Sequence, residues 1–135
     1  MTKKEFVSKS DEEWKQQLTP EQYEVCRNKS TERPFTGEYH DCKEEGIYQC
    51  VCCGNPSFSS ETKFDSGTGW PSFWAPIRAE NVKNETDYSY GMLRVEVLCK
   101  ECDAHLGHIF DDGPAPSYKR YCINSVAIKL LKRKL

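Results

Sequence analysis

Cys122 stands in the stretch KRYCINS, residues 119–125, with Arg120 two positions before it and Asn124 two positions after. A guanidinium close to a thiol favours the thiolate, so this cysteine reads as a nucleophile near neutral pH. Free cysteine is more often a small buried residue, but that reading leaves Arg120 and Asn124 without a purpose. Four of the other cysteines form two C-x-x-C pairs, Cys50 with Cys53 and Cys99 with Cys102. Two intervening residues let a tight turn present both sulfurs to one ion. Four thiolates make a closed tetrahedral site that is structural rather than catalytic, and the expected metal is zinc. Two independent redox pairs would leave their matched spacing to be explained twice, and a rubredoxin-like iron site would leave most of the chain idle. Cys52 adjoins Cys53 and could pair with Cys50 in its place. Gly54 favours Cys53, because a glycine after the second cysteine lets the backbone fold back.

Two of the three histidines, His105 and His108, lie three apart in DAHLGHIFDDGP, residues 103–114. A lone histidine is more often structural, but two within four positions point to function. The patterns of hydrolytic zinc centres, H-E-x-x-H and the deaminase H-x-E with P-C-x-x-C, are absent. In KFDSGTGWPSFW, residues 63–74, two glycines and a proline force a compact loop that carries four aromatic rings. Phe73 or Trp74 is expected in the core, whereas Trp70, between Gly69 and Pro71, is expected as the wall of an apolar site.

These groups need a scaffold. The 135 residues suit a single domain spanning 1–135, with a helical lead at about 10–30 and a β core at about 33–131. Ser10 to Glu13 and Thr19 to Gln22 read as capping boxes, the second with Pro20 at the first helical position and Leu18 and Tyr23 as a hydrophobic staple. IYQCVCC, MLRVEVLC and INSVAIKLL are the best strands. In the second, Leu93, Val95 and Val97 alternate with Arg94 and Glu96, predicting one buried and one wet face. An extended 118–131 would put Arg120, Cys122 and Asn124 on one face, continued by Val126, Ile128 and Leu130. Nineteen basic against 21 acidic residues give no field that would draw nucleic acid or an anionic membrane. The basic KLLKRKL end is read as a solvated tail. MTKKEFVSKSDEEW lacks the apolar core of an export signal, and no stretch approaches a membrane span, so the expected setting is the cytoplasm. There, eight cysteines mean metal binding or thiol chemistry rather than disulfides.

CVCCG, KFDSGTGWPSF, LCKECDAHLGHIFDDGP and RYCINS, in this order and with these gaps, resemble the methionine-R-sulfoxide reductase B family from about Thr19 to Leu131. The resemblance implies a mainly β fold of two antiparallel sheets, tent- or barrel-like, with short N-terminal helices and a structural zinc on Cys50, Cys53, Cys99 and Cys102. It implies reduction of the R epimer of methionine sulfoxide, free or in proteins, by a monomer that thioredoxin or another thiol regenerates. Each sulfoxide epimer has its own reductase. By the same resemblance Cys122 is the nucleophile and ends the first step as a sulfenic acid. Arg120 holds it charged, His108 protonates the sulfoxide oxygen, Asp112 tunes His108, and His105 lines the site. Trp70 and Phe110 meet the substrate, and Asn124 adds a donor beside the sulfur.

Many relatives carry a resolving cysteine where this chain has Thr68. Cys26, Cys42 and Cys52 are the spare thiols. Cys42, in the polar EYHDCKEEG, is the best candidate on accessibility, and without a resolving cysteine an external thiol must reduce Cys122 directly. A thiol hydrolase and a non-enzymatic zinc-ribbon adaptor are the rival classes. In the first, Asn124 stands too close to the nucleophile to orient a histidine, and neither accounts for all four motifs.

Overall fold

The computed structural model describes residues 9–87 and 94–132. Leu93, the start of the N-terminal segment and the end of the basic tail lie outside them. Two short helices, α1 (Asp11–Gln17) and α2 (Pro20–Cys26), each begin at the expected capping box. The staple residues Leu18 and Tyr23 are both buried in the core. Nine strands follow among the described residues: β1 (Gly46–Cys50), β2 (Pro56–Ser59), β3 (Lys63–Phe64), β4 (Ser72–Phe73), β5 (Val82–Asp87), β6 (Arg94–Cys99), β7 (His105–Phe110), β8 (Arg120–Ile123) and β9 (Ile128–Lys132). Among the described residues they form two antiparallel sheets, of order β2-β1-β9 and β3-β4-β8-β7-β6-β5.

Aromatic rings fill the space between the sheets. Phe58 of the small sheet stacks on Phe73 of the large one with ring centroids 4.6 Å apart, and Tyr48 meets Phe73 edge-on at 5.3 Å. All three are fully buried. Trp14 of α1 is buried beneath the Arg27 guanidinium, 4.5 Å from its ring, and Arg27 in turn donates to the Cys102 carbonyl at 3.0 Å. Gln17 donates to the Cys52 carbonyl at 2.7 Å. The helical lead is thus fastened to both cysteine turns.

Two expectations about strands are corrected. Residues 118–131 are not one strand: β8 ends at Ile123, a 3-10 turn occupies Ser125–Ala127, and β9 belongs to the other sheet. Val126, Ile128 and Leu130 therefore do not extend the Cys122 face. Asn124 ends the strand, because its side chain is committed to neighbouring backbone: Oδ1 accepts from Glu32 N at 3.0 Å and Nδ2 donates to Leu106 O at 3.1 Å. Nor does β6 have a wet face at Glu96, which is 2% exposed, whereas Val95 is 37% exposed. Alternation predicts which side a residue faces but not whether charge partners cover that side.

Gly107 fixes the spacing of β7 and β8. A Cβ there would lie 2.0 Å from the Cys122 carbonyl oxygen, in the backbone of the paired strand. Gly107→Ala must push the strands apart, at about 3 kcal/mol. The expected loss is roughly 10 °C in melting temperature, read by thermal denaturation.

Candidate active site

The register of the large sheet sets a row of side chains across it. Ser72 pairs with Cys122, Cys122 with His108, and His108 with Glu96. Directly opposed residues in antiparallel strands project to the same face, so thiol, imidazole and carboxylate come from three adjacent strands and stand side by side. His105 would face away from His108 in a regular strand, since the two are an odd number of residues apart. The β6–β7 register prevents this: Val97 opposes Gly107 while Leu98 opposes His105, leaving Leu106 as an extra residue. Such a bulge reverses the parity, and the two imidazole centroids lie 5.2 Å apart, edge to face.

A pocket of about 80 Å³ opens on this row, lined by Thr31, Trp70, Arg94, Gly107, His108, Phe110, Cys122 and Asn124. It is far below the roughly 300 Å³ of an ordinary small-molecule site, so it suits the end of one side chain. Trp70 is fixed as its wall by its indole N–H, which donates to the Glu32 carbonyl at 3.0 Å. Phe110 carries the Arg120 guanidinium over its ring at 4.4 Å.

The Cys122 sulfur is half-buried. Burial pushes its thiol up, and the Arg120 charge and the Thr68 hydroxyl pull it back only in part. Desolvation is the largest of these effects, and the Arg120 guanidinium opposes it. Arg120 is also bound through Nε to Asp112 Oδ1 at 2.8 Å, which divides its charge. Asp112 was expected on His108 and is not there. The carboxylate on His108 is Asp87, whose Oδ2 meets Nε2 at 2.8 Å, with Arg94 beyond it at 3.5 Å.

His105 does not line the pocket. It is 1% exposed, with Nδ1 at 2.6 Å from Glu96 Oε2, and Lys29 meets the other Glu96 oxygen at 3.2 Å. Burial lowers its affinity for a proton, with Glu96 opposing. Asn124 does line the pocket, but as a strut between backbones. Cys42 lines a different hollow of about 300 Å³ with His40, Lys63 and Phe64, and no residue is common to the two. Cys26 and Cys52 are buried in the core with the paired cysteines.

The sulfurs of Cys50, Cys53, Cys99 and Cys102 lie within 4.8 Å of one another, with Cys50 to Cys102 at 3.7 Å and Cys53 to Cys99 at 3.5 Å. Zinc–sulfur bonds of about 2.3 Å in a tetrahedron place sulfurs about 3.8 Å apart, so the four fit a metal of that kind. Each pair ends a strand in the same turn. Gly54 N donates to Cys50 O at 2.8 Å and Asp103 N to Cys99 O at 2.9 Å, while Cys50 N and Cys99 N reach Asn55 O and Ala104 O. Gly54 adopts φ +80° and Asp103 φ +61°. Aspartate tolerates this left-handed conformation, so the second turn needs no glycine. Cys52 stays outside the four.

The SelR domain family matches residues 18–132. The chain belongs to the SelR family. It is 63% identical over 123 residues to the peptide methionine sulfoxide reductase MsrB of Hahella chejuensis, covering 91% of this chain and 88% of that one. To the MsrB of Pseudomonas savastanoi it is 58% identical, covering 94% of this chain and 97% of the relative. To the chloroplastic peptide methionine sulfoxide reductase B1 of Arabidopsis thaliana it is 60% identical, covering 95% of this chain and 63% of that one.

This SelR chain also uses residues that its sequence did not reveal. Glu32 holds Trp70 and Asn124 through its backbone and Val126 N through its carboxylate at 3.0 Å, yet nothing in STERPF marks it. Asp87 reaches His108, and Arg94 reaches Asp87, from strands whose pairing no local pattern specifies. Gly107 had a signal, since glycine inside a strand marks a close approach of backbones. Asp87→Asn keeps the shape but removes the charge behind His108. It is expected to lower kcat/KM for a methyl sulfoxide about tenfold to a hundredfold with KM nearly unchanged, as steady-state kinetics would record.

Proposed function

We propose that the chain reduces the R epimer of methionine sulfoxide to methionine, with Cys122 as nucleophile. The observation that carries this reading is the row of Cys122 and His108 opening into a small pocket walled by Trp70 and Phe110, in a member of the SelR family. A pocket of about 80 Å³ accepts the methyl sulfoxide end of the side chain and leaves the rest of the residue outside, which suits both peptide and free substrate.

The thiolate of Cys122 attacks the sulfoxide sulfur while His108 gives its proton to the sulfoxide oxygen. The sulfur–oxygen bond of the substrate breaks and the oxygen passes to Cys122. The substrate sulfur gains two electrons, the cysteine sulfur loses two, methionine leaves, and a sulfenic acid remains. Arg120 favours the thiolate, and Asp87 holds the His108 ring for the transfer. Cys42 lines a separate hollow, so an external dithiol of the thioredoxin type fits the return step better. Two thiols become a disulfide there, and the oxygen leaves as water.

Cys50, Cys53, Cys99 and Cys102 would hold one zinc ion, which when bound crosslinks the two sheets and leaves no position open for substrate. We also infer, from the resemblance, a single domain acting as a monomer in the cytoplasm. The reading is tested by mass spectrometry after one turnover with separated R and S sulfoxides. Oxidation of the peptide bearing Cys122 by the R epimer alone is expected. Equal oxidation by both, or none, overturns it.

A further inference from the structure

The pocket of about 80 Å³ holds only the end of a side chain, so a peptide that carries an oxidised methionine must lie on whatever adjoins the pocket. Phe35 adjoins its wall. The Phe35 backbone N–H donates to the Gly69 carbonyl at 2.8 Å, directly before Trp70, and the Trp70 indole is held in turn by the Glu32 carbonyl of the same segment. The Phe35 ring lies against Gly69: a Cβ on that glycine would come within 2.7 Å of ring carbon Cδ2 and 2.8 Å of Cε2. The same ring meets the His40 imidazole nearly at right angles, with centroids 5.6 Å apart. His40 lines the hollow of about 300 Å³ that also contains Phe64. One ring therefore links the wall of the small pocket to the wall of the larger hollow.

A single exposed apolar side chain is ordinary on a protein surface. Phe35 is not ordinary in its backbone, which is left-handed at φ +65°, a conformation that a bulky residue adopts only when its surroundings compel it. With the side chain 62% exposed, packing offsets little of that strain. The turn is nevertheless closed, since the Thr36 hydroxyl donates to the Arg33 carbonyl at 2.6 Å. Asparagine or glycine would hold this turn more easily, yet the position carries an aromatic ring turned to solvent.

We propose that Phe35 is a specificity-determining residue for peptide substrates, packing its ring on an aromatic or large apolar side chain next to the oxidised methionine. Segments with such a neighbour are favoured over those with small polar neighbours. The proposal deepens the reading of the pocket as a methyl sulfoxide site and rests on it. A charged neighbour is not selected, because the adjoining hollow carries both signs: Lys43 and Lys63 stand there with Asp41, Glu44 and Asp65. What the ring offers uniformly is apolar surface.

The test uses two short peptides with the R sulfoxide of methionine at the centre, flanked on both sides by phenylalanine in one and by serine in the other. The metal-loaded full chain is assayed by steady-state kinetics with dithiothreitol as reductant. Wild type is expected to show kcat/KM about fivefold higher for the phenylalanine-flanked peptide, the gain from taking roughly 40 Å² of apolar surface out of water. The difference should appear in KM rather than kcat, because the contact is the same in the ground and transition states. Phe35→Asn suits the left-handed turn and removes the ring, so the ratio should fall to about one, and Phe35→Tyr should restore it. Should the asparagine variant fail to fold, Phe35→Gly takes its place. A ratio near one in wild type overturns the proposal, and so does an undiminished ratio in either folded variant that lacks the ring. Free methionine R-sulfoxide, assayed with wild type, separates the two ideas. Its turnover alongside a peptide ratio near one defeats only the role of Phe35, whereas no turnover of any R sulfoxide defeats the reading of the pocket and this proposal with it.

Discussion

Cys122→Ser is expected to lower kcat/KM for R-methionine sulfoxide by at least about 10⁴-fold while leaving the melting temperature within a few degrees of wild type. The side chain is half-buried and serine nearly matches its size, so neither β8 nor its pairing with β4 and β7 is disturbed. The chemistry, by contrast, has no substitute. A serine hydroxyl is hardly ionised near neutral pH, even with Arg120 and Thr68 beside it. Accepting the substrate oxygen would turn it into a hydroperoxide, whereas sulfur forms a stable sulfenic acid. Binding should survive, because Trp70 and Phe110 still wall the pocket. The check is steady-state kinetics together with binding of the R sulfoxide to the variant, and a variant that turned over at a tenth of the wild-type rate would remove Cys122 from the nucleophile's role. The non-enzymatic adaptor reading predicts instead that Cys122→Ser keeps every function and that neither protein turns over sulfoxide.

The chemistry-bearing residues were legible in the sequence largely because their signals are local. C-x-x-C followed by glycine names a turn and its ligands, and capping boxes name the helix starts. In KRYCINS a thiol two residues from an arginine shares a strand face with it. The pairings of charge were not legible, because register and bulges set them. Asp112, close in sequence to His108, binds Arg120, while Asp87, more than twenty residues earlier, binds His108. Leu106 as an extra residue in β7 decides that both histidines face one side, and it does so only in the paired sheet. Glu96 looked solvent-facing by alternation, but His105 and Lys29 cover it. The break at Asn124 was hidden for a similar reason: its amide is occupied by Glu32 and Leu106, distant in the chain, and the apolar residues beyond it suit either sheet.

Stripping the metal should unfold the protein. The cluster joins the end of β1 in the small sheet to the end of β6 in the large one, and α1 and Arg27 bond to carbonyls of the same two turns. Structural zinc contributes on the order of 10–16 kcal/mol in zinc-finger peptides, as much as the roughly 5–15 kcal/mol by which whole domains are stable. A protein freed of metal therefore has little or no net stability, and four sulfurs within 4.8 Å, three of them buried, are left to share protons instead. Excess chelator is expected to abolish the cooperative thermal transition, zinc restored afterwards should return it, and Cys99→Ser should behave like the chelated protein. Cys42→Ser, outside the cluster, should melt like wild type, separating loss of the site from loss of any thiol. Circular dichroism with metal content measured on the same sample decides the matter. An unchanged transition at zero metal would mean that the aromatic core between the sheets, Tyr48, Phe58 and Phe73, suffices without the crosslink.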